Sequence, residues 1–134
     1  MGRRTHRPRP LSLASLLVVC ALFPACASRD TRSLLVQASA YNSLPGQTQG
    51  DPNVGAWGDV LKPGMRAIAV SRDLLALGLG HGVRVRIQGL PGEYVVLDKM
   101  AKRWRRKIDI YMGEDRKAAR TWGVQELTIQ WTPP

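Results

Sequence analysis

Short stretches in which apolar and polar side chains alternate recur along most of the chain after residue 33. The alternation is clearest where Val83, Val85 and Ile87 would share one face of a strand and Arg84 and Arg86 the other. Comparable stretches of strand character occupy residues 34–40, 66–70, 93–97, 107–112 and 124–131. Gly- and Pro-rich segments separate them, and two short helices are predicted at residues 72–77 and 115–122. Six short strands favour a small closed β-barrel, because closure leaves no exposed sheet edge.

A different pattern precedes the strands. Residues 1–10 contain four arginines and no acid, and an apolar run without charged residues occupies residues 11–23. That run is shorter than the roughly 20 residues that span a bilayer as a helix. A basic region, a short apolar core and a small-residue cleavage site are typical of a secretory signal. We therefore expect residues 1–27 to be a signal peptide and the protein to be exported to the periplasm.

Two cleavage sites fit this signal. Residues 23–26 resemble a bacterial lipobox, in which Cys26 becomes the acylated first residue of the mature chain. Residues 25–27 also form a small-x-small site, after which the mature chain would begin at Ser28. The position of the cysteine directly behind the apolar core favours a lipoprotein with an outer-membrane lipid anchor. By resemblance to lipoprotein sorting rules, Ala27 after the cysteine also favours the outer membrane.

Composition narrows the function classes. The 134 residues include 20 Lys and Arg against 10 Asp and Glu, a net charge of +10, and are sufficient for one modest domain. Such a basic balance suggests nucleic acid, an anionic membrane surface or another acidic polymer as a partner. Removal of the signal lowers the net charge to +6, and export argues against nucleic acid. We expect a polar tether at residues 28–35 and one domain at residues 36–134.

The two cysteines limit the chemistry. Cys20 and Cys26 both lie in or at the end of the signal, so the mature chain has at most one cysteine, at its first residue. An internal disulfide and a thiolate metal site are therefore both excluded.

Two acids are placed where strands would hold them. Asp98 follows the strand at residues 93–97, and in that strand Tyr94, Val96 and Asp98 are expected to share a face. In the strand at residues 107–112, Asp109 is expected on the face opposite two isoleucines. A pair of carboxylates in one cleft is what glycosidic bond cleavage requires, since one must protonate the leaving oxygen. Spacing alone leaves open the alternative of acids on a polar strand face, paired with neighbouring cations.

Several motifs in order along the chain resemble one family. They are ASAYN (38–42), AWGDVLKPGMRAIAV (56–70), GVRVRI (82–87), EYVVLD (93–98), KIDIYMG (107–113) and AARTWG (118–123). Together they resemble the three-aspartate (3D) domain, the double-psi β-barrel module of membrane-bound lytic transglycosylase A and related bacterial cell-wall proteins. The interval of 11 residues from Asp98 to Asp109 matches the family's spacing between its second and third aspartates. The resemblance implies a six-stranded double-psi β-barrel.

The resemblance also implies an activity. Asp109 maps to the family's proposed general acid/base, and Asp98 to the aspartate beside it in the cleft. The implied reaction is non-hydrolytic cleavage of the bond between N-acetylmuramic acid and N-acetylglucosamine in peptidoglycan glycan strands, giving a 1,6-anhydro product. No metal or organic cofactor is implied. Residues expected to contact the sugar are Tyr41, Asn42, Trp57, Tyr111, Arg103 and Trp104.

The sequence departs from the family at two places. Ser71 stands where the family has its first aspartate, and Asp73 lies two residues further on. Asp98 is followed by a segment with six cations, residues 99–107, instead of a Gly-Gly turn. These cations and Trp104 could line a groove for a saccharide or an anionic polymer, or form a solvated loop. An alternative function is therefore a non-catalytic lipoprotein that binds peptidoglycan or another anionic envelope polymer.

Overall fold

The computed structural model describes Gly2, residues 29–43 and residues 51–134. Of the expected signal peptide it describes Gly2 alone, so the predicted lipidation site Cys26 lies outside the described residues. Within the described part of the chain, no helix has the length and apolar character needed to cross a membrane.

Six strands and two short helices follow one another along the chain. They are β1 (Arg32–Tyr41), β2 (Ala67–Val70), α1 (Arg72–Leu75), β3 (Arg84–Ile87), β4 (Tyr94–Lys99), β5 (Lys107–Tyr111), α2 (Arg116–Trp122) and β6 (Gln125–Trp131). The strands form a closed barrel in the order β1-β5-β2-β4-β3-β6. The barrel is mixed, because β1 and β5 are parallel, as are β2 and β4, whereas the other neighbours are antiparallel. The predicted six-stranded β-barrel with two short helices is confirmed.

Alternation along the strands fills the barrel. In β3, Val85 and Ile87 are buried and Arg84 and Arg86 are exposed, as the sequence pattern predicts. The interior cluster comprises the following side chains: Val36, Ala38, Ile68, Val70, Leu74, Leu79, Val85, Ile87, Val96, Ile108, Ile110, Leu127, Ile129 and Trp131. Nearly all of them are aliphatic, so burial of apolar surface in the interior is the main stabilising contribution.

The first strand is longer than the sequence pattern indicates. β1 begins at Arg32, which pairs with Trp131 of β6, and the antiparallel register continues to Ala38 opposite Gln125. Residues 32–35, expected within the tether at residues 28–35, therefore belong to the barrel. Backbone pairing with β6 explains this, and only Arg32 and Ser33, whose side chains are polar and exposed, lack an apolar signal for the strand.

A second, smaller cluster lies on the other face of β2. Leu61, Ala67 and Tyr111 are buried there, with Tyr41 and Leu97 packed against them. Leu61 comes from the loop that precedes β2, and its backbone N–H donates to the carbonyl of Asn53 at 2.6 Å. This loop therefore covers the outside of the barrel where β4, β2 and β5 run side by side. The two predicted catalytic acids lie on these strands.

Candidate functional site

Strand register brings Asp98 and Asp109 to the two sides of one alanine. Ala69 of β2 pairs with Asp98 of β4 on one side and with Asp109 of β5 on the other. Adjacent strands lie about 4.8 Å apart, so the backbones of the two acids are separated by about 10 Å. The side chain between them is a single methyl group, and Ala69 is only 5% exposed. The acids thus flank a narrow strip of barrel surface.

A shift in register gives Asp98 this position. Ile68 pairs with Val96 in the barrel interior, but the next residue, Ala69, pairs with Asp98 rather than with Leu97. One extra residue in β4 is a β-bulge, and it reverses the expected alternation. The prediction that Val96 and Asp98 share a face is therefore wrong. Val96 is buried in the core, and Asp98 lies in register with Ala69, beside Asp109.

Asp109 occupies a partly buried position beside a hydroxyl donor. Ser39 of β1 is its register partner and donates from Oγ to Asp109 Oδ1 at 2.8 Å. Burial raises the pKa of Asp109 above its ordinary value, whereas the Ser39 hydrogen bond and the charge of Lys107 lower it and the charge of Asp98 raises it further. The net direction is upward, which extends the pH range in which Asp109 keeps its proton. A carboxyl that holds a proton closer to neutral pH is suited to act as a general acid.

Asp98 has a different set of partners. Its Oδ1 accepts hydrogen bonds from the backbone N–H of Ala56 at 2.7 Å and of Lys99 at 2.8 Å. The hydrogen bond from Ala56 attaches the loop before β2 to β4. Both backbone N–H groups are donors that require an acceptor oxygen, which Asp98 provides. Asp98 therefore fixes the loop over the site, and the two acids have distinct environments.

Two tyrosines lie next to the acids. Tyr41 and Tyr111 are register partners, and their ring centroids are 5.5 Å apart with the planes tilted by 54°. The hydroxyl of Tyr41 is buried and has no hydrogen-bond partner among the described residues. Burial raises its pKa well above the ordinary value, and the charges of Asp98 and Asp109 add to this effect. The Tyr41 hydroxyl therefore keeps its proton and stays uncharged beside the two carboxylates.

A lysine and a tryptophan flank each acid. Beside Asp98, the Lys99 Nζ lies 5.4 Å from the ring centroid of Trp57. Beyond the other acid, the Lys107 Nζ lies 3.8 Å from the ring centroid of Trp104. Cation–π contacts of this length hold each indole against its lysine, and Lys99 follows Asp98 whereas Lys107 lies two residues before Asp109. Trp57 and Trp104, both predicted to contact sugar, are thus each connected to one of the acids through a lysine.

The rim beside Trp57 contains a residue pair that the sequence analysis did not connect. His81 stacks on Trp57 at 5.0 Å between ring centroids, and its Nε2 lies 2.6 Å from Asp59 Oδ2. His81 belongs to the loop before β3 and Asp59 to the loop before β2, so the pair joins two loops. No sequence signal marks this contact, because the partners are 22 residues apart in unrelated loops.

The remaining predicted sugar contacts divide by exposure. Arg103 is exposed and lies 5.1 Å from the ring centroid of Trp104. Asn42 and Tyr111, by contrast, are only 5% and 3% exposed. The Tyr111 hydroxyl lies 3.1 Å from the Oγ of Ser43. The structure therefore places Arg103 and Trp104 at the surface, and Asn42 and Tyr111 beneath it, where they support the site from below.

Ser71 takes a structural place. It is fully buried, and its Oγ accepts a hydrogen bond from the backbone N–H of Lys107 at 2.9 Å. Asp73 is directed toward the segment before β5, where its Oδ2 accepts from the backbone N–H of Arg106 at 2.9 Å. Neither residue adds a third carboxylate beside Asp98 and Asp109.

Within residues 29–43 and 51–134, no three His, Cys, Asp or Glu side chains converge in a way that could hold a metal ion. Comparison with known proteins adds no assignment, because no protein-family model and no curated protein matches the sequence. Conclusions about function therefore depend on the geometry of the site and on the resemblance of its motifs.

Proposed function

We propose that the protein is a peptidoglycan lytic transglycosylase, with Asp109 as its general acid and base. The observation that supports this proposal best is the difference between the two acids on either side of Ala69. Asp98 is bound to two backbone N–H groups, whereas burial raises the pKa of Asp109. Two neighbouring carboxyls in unlike environments are the arrangement that assigns separate roles in glycosidic cleavage.

The proposed reaction uses one carboxyl twice. Asp109 first gives its proton to the oxygen between N-acetylmuramic acid and N-acetylglucosamine, and the bond from this oxygen to C1 breaks. The carboxylate then takes the proton of the C6 hydroxyl, whose oxygen bonds to C1 and closes the 1,6-anhydro ring. The negative charge of Asp98 stabilises the positive charge that develops at C1. No water enters the reaction, and Asp109 ends with its proton restored.

Purified sacculi incubated with the protein provide the test. We expect anhydro-muropeptides by mass spectrometry, and we expect Asp109→Asn to lower their rate of formation by about 100-fold or more, as loss of a general acid does. Glu114→Gln, which removes an exposed carboxylate before α2, is the matched control and should retain the wild-type rate. Equal rates for Asp109→Asn and the wild-type protein, or no anhydro products from either, would contradict the proposed enzyme.

A second candidate is a non-catalytic lipoprotein that binds peptidoglycan or another anionic polymer of the envelope. Two observations favour it: the six cations of residues 99–107, and the burial of Ser71 in place of a third acid. In this case the protein would co-sediment with sacculi without forming anhydro products. Its retention would weaken as salt screens the cations and would be unchanged by Asp109→Asn. In either case we propose an exported, periplasmic protein anchored in the outer membrane through Cys26.

A further inference from the structure

The cationic segment between the two acids has a fixed shape. Residues 99–107, here called the basic turn, are held at several points by hydrogen bonds to the ends of neighbouring elements. These are Met100 N to Val70 O (2.9 Å), Arg72 Nε to Met100 O (3.1 Å), Trp104 N to Ala101 O (3.1 Å), Arg106 N to Asp73 Oδ2 (2.9 Å), Gln37 N to Arg106 O (3.0 Å) and Lys107 N to Ser71 Oγ (2.9 Å). The basic turn therefore presents its side chains from an ordered backbone. Binding to such a segment costs less conformational entropy than binding to a flexible loop.

A depression of about 320 Å³ lies between the basic turn and α1. Arg72, Lys102 and Arg105 contribute three cations to its wall, and Trp104 contributes an indole ring. Asp73 is the one acid of this wall, and its Oδ2 already accepts a hydrogen bond from the Arg106 backbone. Charge and shape thus suit a small ligand with negative groups and some apolar surface.

The cations of the depression form no salt bridge with any carboxylate of the described residues. Among the residues that the structure describes, close contacts between basic side chains and carboxylates join His81 to Asp59, and Arg84 and Arg86 to Glu93. None of these pairs involves the basic turn or Arg72. Apart from Arg72 Nε, which donates to the Met100 carbonyl, the guanidinium and ammonium groups at the depression are therefore available to an external anion.

The depression lies at one end of the candidate active site. Lys107 connects the two, because its Nζ rests on the Trp104 ring and its charge acts on Asp109 two residues along the same face of β5. Lys99, at the other end of the basic turn, follows Asp98 directly. A glycan bound across the two acids would therefore direct a substituent of one sugar toward the depression.

We propose that the depression binds the carboxylates of the peptide carried by the muramic acid residue next to the cleaved bond. This inference rests on the proposed function, because it names the part of the peptidoglycan substrate that the basic turn recognises. Arg72, Lys102 and Arg105 would form charge-assisted hydrogen bonds with the peptide carboxylates. Trp104 would contact the aliphatic side chains of the peptide.

The same surface is poorly suited to a lipid bilayer. Proteins that lie on membranes insert large apolar side chains beside their cations. The exposed large apolar residues of the described chain are Leu35, Val54, Val60, Met65, Leu77 and Val124. None of them belongs to the basic turn, and the depression is concave. These observations favour a soluble anionic group over a membrane surface.

Binding of a muropeptide of known structure tests the inference without turnover. The probe is the disaccharide of N-acetylglucosamine and N-acetylmuramic acid with its tetrapeptide, titrated into Asp109→Asn protein by calorimetry. A second probe has the same structure with its peptide carboxylates amidated. We expect the acidic probe to bind at least about tenfold more tightly, and a rise from 50 to 200 mM salt to reduce the difference. Equal affinities, or no measurable binding of the acidic probe, would overturn the inference.

A double variant locates the binding. Lys102→Gln/Arg105→Gln should remove most of the preference for the acidic probe, whereas Arg116→Gln/Lys117→Gln should keep it. All four residues are exposed and each double variant removes two charges. A general effect of lost charge would therefore reduce the preference for the acidic probe equally in the two variants. Vesicles with one quarter phosphatidylglycerol form a further arm, and their capture through Lys102 and Arg105 would overturn the inference in favour of lipid. Since these readouts need no cleavage, failure of the peptide site and failure of the enzyme are distinguishable.

Discussion

At the scale of single residues, the fold disfavours the ionised form of Asp109. Burial disfavours the charged carboxylate, and the hydrogen bond from Ser39 with the charge of Lys107 offsets this effect in part. Asp73 shows the opposite balance. Burial raises its pKa too, but hydrogen bonds from Ser71 and from Arg106, with the charge of Arg105, lower the pKa of Asp73 below its ordinary value overall.

The two acids should therefore affect stability with opposite signs. The folded-state pKa of Asp109 is raised, so its ionisation destabilises the fold as pH rises above the unfolded value of about 3.9. Asp109→Asn removes this penalty while its amide oxygen still accepts from Ser39. We expect the variant to have a higher Tm than the wild-type protein at pH 7, and the difference to shrink as pH falls toward 4. The measurement is thermal unfolding followed by circular dichroism across this pH range.

Asp73→Asn is the control of opposite sign. A lowered folded-state pKa stabilises the protein above the unfolded value, and this stability is lost as pH falls through the folded value. The variant should have a lower Tm than the wild-type protein at pH 7 and approach it in acid. A lower Tm for Asp109→Asn at pH 7 would contradict the environment inferred for Asp109.

At the scale of elements, the bulge in β4 and the loop before β2 form one unit. Gly55 of this loop lies so close to the Leu97 carbonyl that a Cβ could not fit between them. The next residue, Ala56, donates its N–H to Asp98 Oδ1. Because Gly55 has no side chain, the loop approaches the backbone of β4 closely enough for Ala56 to form a hydrogen bond with Asp98.

Gly55→Ala should therefore separate the loop from β4. A Cβ at this place meets backbone rather than a flexible side chain, so the loop must move and the Ala56–Asp98 hydrogen bond is lost. We expect a loss of about 2–3 kcal/mol in the free energy of unfolding, measured by denaturant titration. Gly58→Ala is the control, because its φ of 89° strains an alanine but no atom lies within 4 Å of its Cβ. Gly58→Ala should lower the free energy of unfolding by about 1 kcal/mol. An equal or smaller loss for Gly55→Ala would contradict the close packing of Gly55 against Leu97.

The end of the basic turn contains a strained residue. Arg106 has a φ of 46°, in the left-handed region, where a non-glycine residue costs about 1–2 kcal/mol. Arg106→Gly should relieve this strain. Glycine loses more conformational entropy on folding, which offsets part of the gain, so the net stabilisation should be about 0.5–1 kcal/mol. The neighbouring Arg105→Gly lacks the relief and should be neutral or destabilising. Denaturant titration of both variants checks the prediction, and destabilisation by Arg106→Gly would contradict it.

Local pattern was a good guide to the strands and a poor one to the site. Alternation at Val85 and Ile87, and again at Ile108 and Ile110, marks buried faces directly, because each side chain reports its own burial. The bulge at Leu97 leaves no such mark, since one extra apolar residue within the unbroken apolar run at residues 94–97 does not change the pattern. The placement of Asp98 depends on this bulge, so its neighbours could not be derived from spacing alone.

At the scale of the whole molecule, contacts between distant segments determine the site. The interval of 11 residues between Asp98 and Asp109 predicts the pair by resemblance, but it does not indicate that Ser39 of β1, 70 residues away, would donate to Asp109. Nor does it indicate that the loop before β2 would donate from the Ala56 N–H to Asp98, 42 residues away. Barrel closure brings these residues together, and a linear pattern contains no information about which strands become neighbours.

Closure of the barrel by β1 also has a consequence for the timing of folding. β1 pairs with β5 and β6, the last two strands of the barrel along the chain, and the contact between Thr31 and Thr132 beside these strands spans 101 residues. Contacts of such long sequence separation make folding slow, because most of the chain must be ordered before the first strand gains its partners. A chain that lacks β6 therefore cannot close the barrel, and the hydroxyl of Ser39 reaches Asp109 only once β5 is present. The surroundings of Asp109 are complete only when both of these strands have paired with β1.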